Sequence, residues 1–235
     1  MKPTIWFFIL FLIFIITIWY CDKKYSMLRD TSKANVKPFS FSRVQLSWWS
    51  CIVLSAFITI LITKCAIPTF DASTLILLGI SAGTTAAATV IDISDQSNPA
   101  LQLSQNQDGQ NFFLDILSDK NGVSIHRFQT VVFNIVFGVW FIGELLHNLN
   151  ANTAIGNWVM CPDNPDVKDT FCSYVNLIIP KFSNNNLILL GLSSGTYAAL
   201  KATENKTPAV NPAGARAQND LVPDEANHKN NPAQG

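Results

Sequence analysis

The sequence predicts an all-α membrane protein with five transmembrane helices, an N-terminal anchor helix followed by two parallel-repeat helical hairpins. Three observations carry that prediction. Hydrophobic residues make up 49% of the 235-residue chain and charged ones only 14%, and the apolar residues are gathered into runs approaching the roughly 20 residues that a helix needs to cross a bilayer. The Lys and Arg residues cluster beside particular runs. The ten residues LILLGISAGT starting at Leu75 return as LILLGLSSGT starting at Leu187. Formal net charge is zero, so the global balance gives no reason to expect a nucleic-acid partner.

The first run, IWFFILFLIFIITIWY from Ile5 to Tyr20, contains no charge. No small-x-small cleavage site follows it, and Asp22, Lys23 and Lys24 form a stop-transfer flank, so it reads as a retained anchor and not a removed signal peptide. Further spans are expected from Val44 to Thr63, Thr74 to Ile91, Phe128 to Leu146 and Leu187 to about Lys201. With no water in the hydrocarbon to satisfy backbone groups, each should be helical. The resulting organisation is an anchor at 1–21, a basic linker at 22–39, a first two-helix repeat at 40–92, a loop with a short amphipathic helix at 93–123, a second repeat at 124–202 and a disordered tail at 203–235. The tail is rich in Asn, Pro and Ala and poor in large apolar residues, which is why no fold is expected there.

Orientation follows from the linker, which carries Lys23, Lys24, Arg29, Lys33 and Lys37, with Arg43 just beyond it. Such a concentration is retained in the cytoplasm, placing the N-terminus outside and the C-terminus inside. Cys161 and Cys172 then lie in the long outer loop, where a disulfide between them can persist. Cys65 falls on the same side and leaves the pairing open, whereas Cys51 reads as a small packing residue within a span.

The duplication extends beyond the ten-residue motif. SFSRVQ from Ser40 and SIHRFQ from Ser124 each open a hairpin, so Arg43 and Gln45 correspond to Arg127 and Gln129. An even number of spans separates equivalent positions, and the hairpins therefore enter the membrane in the same sense. Asp92 corresponds to Glu204, which predicts either charge pairs Arg43–Asp92 and Arg127–Glu204, one closing each hairpin, or Arg side chains that only snorkel to anionic headgroups.

GISAG and GLSSG have the spacing of a hydrolase nucleophile elbow, but that turn requires a strand before the Ser, and here each motif lies inside an apolar helical run. The histidines, His126, His147 and His228, fall at helix boundaries or in the tail. No catalytic residue, metal or cofactor is expected. Read as Gly-x-x-x-Gly, Gly79 with Gly83 and Gly191 with Gly195 form smooth helix-packing faces. Ser81, Thr84, Ser193 and Thr196 lie toward another side, where their hydroxyls either bond between helices or line a pathway.

Asn134 is a mid-span polar residue suited to interhelical bonding, and Glu144 is the costliest residue inside a predicted span. Glu144 and His147 have Glu-x-x-His spacing, but a di-iron site needs a second such motif and further carboxylates that the spans lack. In the loop, Phe112, Phe113, Ile116 and Leu117 suit a short helix on the inner surface or against a partner. Asp119 to Gly122, DKNG, reads as a turn.

Through the Arg-x-Gln helix starts, DILSDKNGVSIHRFQ and the paired LLG-[IL]-S-x-GT motifs, the chain from about Phe39 to Lys201 resembles a group of bacterial multi-pass inner-membrane proteins. The resemblance implies an inner-membrane location and no particular activity. The function expected is that of a membrane assembly or anchoring component. Its partners would be the lipid bilayer, further copies of the chain, and a cytosolic or membrane protein. The alternative is a subunit of an oligomeric channel or transporter with a Ser/Thr-lined pathway.

Overall fold

The computed structural model describes residues 2–32, 34–64, 67–98, 108–119, 122–151 and 175–206, and it is mostly helical. Among the described residues, five long helices are present: α1 (Pro3–Tyr25), α2 (Phe41–Lys64), α3 (Ala72–Gln96), α5 (Ile125–Ala151) and α6 (Asn184–Glu204). A six-residue helix α4 (Phe112–Leu117) precedes α5, separated from it by a two-stranded ladder of β1 (Ser118–Asp119) and β2 (Gly122–Val123). Gly122, at φ +102°, adopts a backbone conformation that favours glycine, while the central residues of the expected DKNG turn, 120 and 121, lie outside the described residues.

Helix ends follow local chemistry. Pro3 opens α1, where its missing N–H is not needed, and Ser26 closes it in the left-handed conformation, donating its N–H to the Asp22 carbonyl at 2.8 Å. Asp71 caps α3 by accepting from the Ser73 N–H, and Ser183 caps α6 by accepting from Asn186.

Among the described residues, four helices, α1, α2, α3 and α5, are long and apolar enough to cross a membrane. The fifth expected span is not among them. α6 packs as a full member of the bundle, but it is not one of the four, because Asn184 to Asn186 open it and Lys201, Thr203 and Glu204 close it. By length and composition, the four support a helical membrane protein.

α1 packs on α2 and touches α5, while α2 pairs with α3, α5 with α6, and α3 with α6. α3 and α6 are parallel neighbours. They are pinned at one end by Phe182 N–H to Ser73 Oγ (3.2 Å) and at the other by Asn205 Nδ2 to Asp95 Oδ2 (2.8 Å). The largest fully buried side chains, Trp49, Phe7 and Phe141, lie in one apolar cluster that also takes in Leu77, Phe182 and Leu190.

The repeat does not carry through to burial. α3 buries Leu77, Ser81, Thr84 and Ala88, whereas α6 buries Leu187, Leu190, Ser194 and Tyr197, which correspond in the repeat to Leu75, Leu78, Ala82 and Thr85. The reason is axial. Bonded partners on α6 lie 109 or 110 positions after those on α3, against 112 for the sequence repeat. That offset of two or three residues slides α6 by about 3 to 4.5 Å and turns a different face inward.

Candidate functional site

The polar groups gather at the end of the bundle where α1, α3 and α6 finish and α2 and α5 begin. The linker after α1 folds back over this end as an ordered layer. Asp22 accepts from Leu28 N–H at 3.0 Å and from Arg29 Nε at 3.4 Å, Arg29 Nη1 donates to the Lys37 carbonyl, and an isolated bridge pairs Arg29 with Phe39. The segment ahead of α4 joins the same layer. Val36 N–H donates to Asp108 Oδ1, Gly109 N–H to the Val36 carbonyl, and Phe39 N–H to Asp115 Oδ2. Gly109 is required here because a Cβ would come within 2.9 Å of Pro38 Cα.

Beneath the linker lies a cluster of buried charge. Lys201 is 6% exposed, with its Nζ 3.1 Å from Asp92 Oδ1 and 3.6 Å from Asp30 Oδ2, so one ammonium ties α6 to both α3 and the linker. Beside it, Arg127 Nη2 lies 2.8 Å from Glu204 Oε2, and the guanidinium stands 5.4 Å from the centre of the Tyr197 ring. Tyr197 in turn meets Phe41 edge to face at 4.7 Å. A cavity of about 390 Å³ opens next to these groups, lined by five carboxylates, including Asp108 and Asp115, against the two cations Arg127 and Lys201.

The structure therefore brings Arg127 and Glu204 together but gives Asp92 a different partner. Asp92 makes its direct ion pair with Lys201 across the hairpins and not with Arg43, which attracts Asp92 only from farther away while its Nη2 reaches Thr31 Oγ1 at 3.4 Å. The slide of α6 explains the exchange, since it brings Lys201, the repeat equivalent of Thr89, level with Asp92.

The glycine faces also require correction. A Cβ at Gly79, Gly83 or Gly195 would meet nothing within 4 Å, and at Gly191 it would make ordinary contact with Ile80 Cδ1 at 3.6 Å. Within the chain these faces are not close-approach surfaces. The close approach occurs instead at Gly138 on α5, where a Cβ would lie 2.6 Å from Trp48 Nε1.

The hydroxyls mostly bond locally. Ser81 donates to the Leu77 carbonyl, Thr84 to Ile80, and Thr196 to Leu192. Among the described residues, three hydroxyls donate between helices, Ser193 to Thr130 Oγ1 at 2.7 Å, Thr85 to the Ser42 carbonyl at 3.1 Å and Thr4 to Asn150 Oδ1 at 3.0 Å. Gln45 Nε2 donates to Ser194 Oγ, joining α2 to α6, whereas its repeat equivalent Gln129 is exposed.

Asn134 is a bonding centre. Its side chain accepts from Trp49 Nε1 (2.7 Å) and donates to the Thr130 carbonyl (2.7 Å), and its own carbonyl accepts from Trp48 Nε1 (3.1 Å). Glu144, His126 and His147 are exposed. Cys51 is a buried free thiol, whereas the expected Cys161–Cys172 disulfide, Cys65 and the tail beyond Lys206 lie outside the described residues. Asp30, Asp95, Lys201, Asn205 and Trp48 were not singled out from the sequence. The available clue was the spacing of Ser194, Tyr197, Lys201 and Asn205, which places polar groups along one side of α6.

No protein-family model, curated protein or solved structure matches the chain.

Proposed function

We propose that the protein is a membrane assembly or anchoring component of a bacterial inner membrane, with five helices spanning as an anchor plus two hairpins, and with the linker end in the cytoplasm. The observation that carries this reading is the pair of open glycine faces. Among the described residues, Gly79 with Gly83 on α3, and Gly195 on α6, stand clear of every other element, yet each is flanked by exposed apolar residues such as Leu75 and Leu192. Small-residue faces of this kind admit close packing by a second helix, from another copy or from a partner membrane protein. The linker end, with its acidic cavity, offers the surface for a cytosolic partner.

Gly83→Leu tests the reading directly. Because the site is open within the chain, the variant should keep the parent's melting temperature in detergent, while its complexes, measured by native mass or crosslinking in lipid, fall to the monomer. Unchanged assembly, or a parent that is itself monomeric and recovers no membrane partner, would sink the proposal.

A channel or transport subunit is the second reading, favoured by one observation. Ser55 Oγ and Thr59 Oγ1 on α2 and Thr74 Oγ1 on α3 are buried without a hydrogen-bond partner among the described residues. An unmade bond of this kind costs about 1–3 kcal/mol, which water along a pathway would offset. Ion flux through purified protein in liposomes, lost in Thr59→Val, would favour this reading over the first.

A further inference from the structure

The expected short helix of the loop is present as α4, and its surroundings say what covers it. Ile116 turns inward against Phe41, Ala88 and Tyr197, and Asp115 turns to the linker. Phe113 is left 69% exposed. α4 packs against α5, whose first turns also expose apolar residues. Ile125, Phe128, Val132 and Val136 are exposed and recur at helical spacing, so one apolar stripe runs from the α4 region down the side of a helix long enough to cross a membrane.

The level of α4 along the bundle is set by a chain of contacts. Asp22, in the last turn of α1, holds Arg29; the Arg29 guanidinium lies 4.4 Å from the centre of the Phe39 ring; Phe39 meets Phe112 edge to face at 5.2 Å; and Phe112 meets Phe113 at 5.4 Å. The same end of α1 exposes Trp19, Tyr20 and Tyr25, with Lys23 5.9 Å from the Trp19 ring and Lys24 5.3 Å from the Tyr25 ring. Exposed aromatic residues beside lysines at the end of an apolar helix mark the headgroup level of a bilayer.

We propose that α4 is an interfacial lipid-binding element: Phe113, with Ile125 and Phe128, seats at the boundary between headgroups and acyl chains of the leaflet on the linker side. This assignment rests on the bilayer reading of the four apolar helices. Its occupant is phospholipid, because α4 packs against α5, which carries the exposed apolar stripe, and is tied through Phe39 and Arg29 to the end of α1 that carries the aromatic and basic belt.

The test is photocrosslinking of the full chain in vesicles of phosphatidylcholine and phosphatidylglycerol, with p-benzoylphenylalanine replacing Phe113, Val136 or Gln110 in separate variants. Phe113 and Val136 should each give a mass increase of one phospholipid, and Gln110, exposed toward the cavity, should give none. A lipid adduct at Val136 but none at Phe113 overturns the α4 assignment and leaves the bilayer reading standing. No adduct at either position overturns both. Crosslinking of Phe113 to another protein chain also overturns it, since a protein and not lipid would cover the helix.

Discussion

Asn134 and Trp48 show how a single polar residue organises an apolar interior. The Asn134 amide and carbonyl take both indole N–H groups of the Trp48–Trp49 pair, so neither indole is left with an unmade bond. Asn134 was identifiable from the sequence as a mid-span bonding residue; its partners were not, because they sit 85 and 86 positions away. Gly138, one turn further along α5, is the more consequential omission. Its repeat context gives no glycine motif, and only the position of the Trp48 ring makes it indispensable. Phe11 stands edge to face with Trp48 at 6.2 Å, which restricts the ring's retreat. Gly138→Ala should therefore destabilise the protein by about 1–3 kcal/mol, the usual cost of overpacking. Thermal unfolding in detergent measures this, and adding Trp48→Phe, which removes the indole atoms that clash, should recover part of the loss.

Among the elements, α3 shows local chemistry acting within a larger plan. Asp71 caps its first turn, and the Ser73 backbone N–H, aided by the Ser73 side chain and by Lys181 at 3.5 Å, holds its carboxyl below the ordinary aspartate value of 3.8. A depressed folded-state value means that the cap contributes stability when the carboxylate is ionised, above about 3.8, and that this contribution is lost as pH falls through the folded value. Asp71→Ala should cost about 1 kcal/mol at neutral pH, the typical worth of such a cap. The difference from the parent should shrink in unfolding midpoints measured progressively below pH 4, roughly where aspartate titrates. Lys181 contributes little to this figure because the pair is solvent-exposed. Substituting Lys181 alone should leave the midpoint nearly unchanged.

Across the whole bundle, the decisive feature is the slide of α6 against α3. The two copies of the LILLG motif are alike in sequence, but they bury different faces, and the slide creates the Lys201 node that neither copy contains alone. A buried ammonium facing two carboxylates adds little net stability compared with a well-packed apolar group, yet removing one member of such a set is costly because charge remains buried. Lys201→Met should lower stability by about 3–5 kcal/mol. The double variant Lys201→Met with Asp92→Asn should recover part of that loss. Denaturant unfolding followed by tryptophan fluorescence measures both, and strict additivity would show that Lys201 and Asp92 are not coupled.

The existence and approximate position of the long helices follow from the sequence, because apolar runs and basic flanks are local properties of the chain, although the helices extend up to five residues beyond the expected spans. The same holds for the existence of the α4 helix. Which side of each helix turns inward was settled only by the assembled fold. In a water-soluble helix, hydrophobic periodicity marks the buried face. In a bilayer, lipid and protein interior are equally apolar, so Gly79 and Gly83 could be assigned to a packing face that the fold leaves open. The partner of Lys201 was equally beyond local reading, because it depends on an axial offset of two or three residues between two helices whose sequences differ too little to announce it.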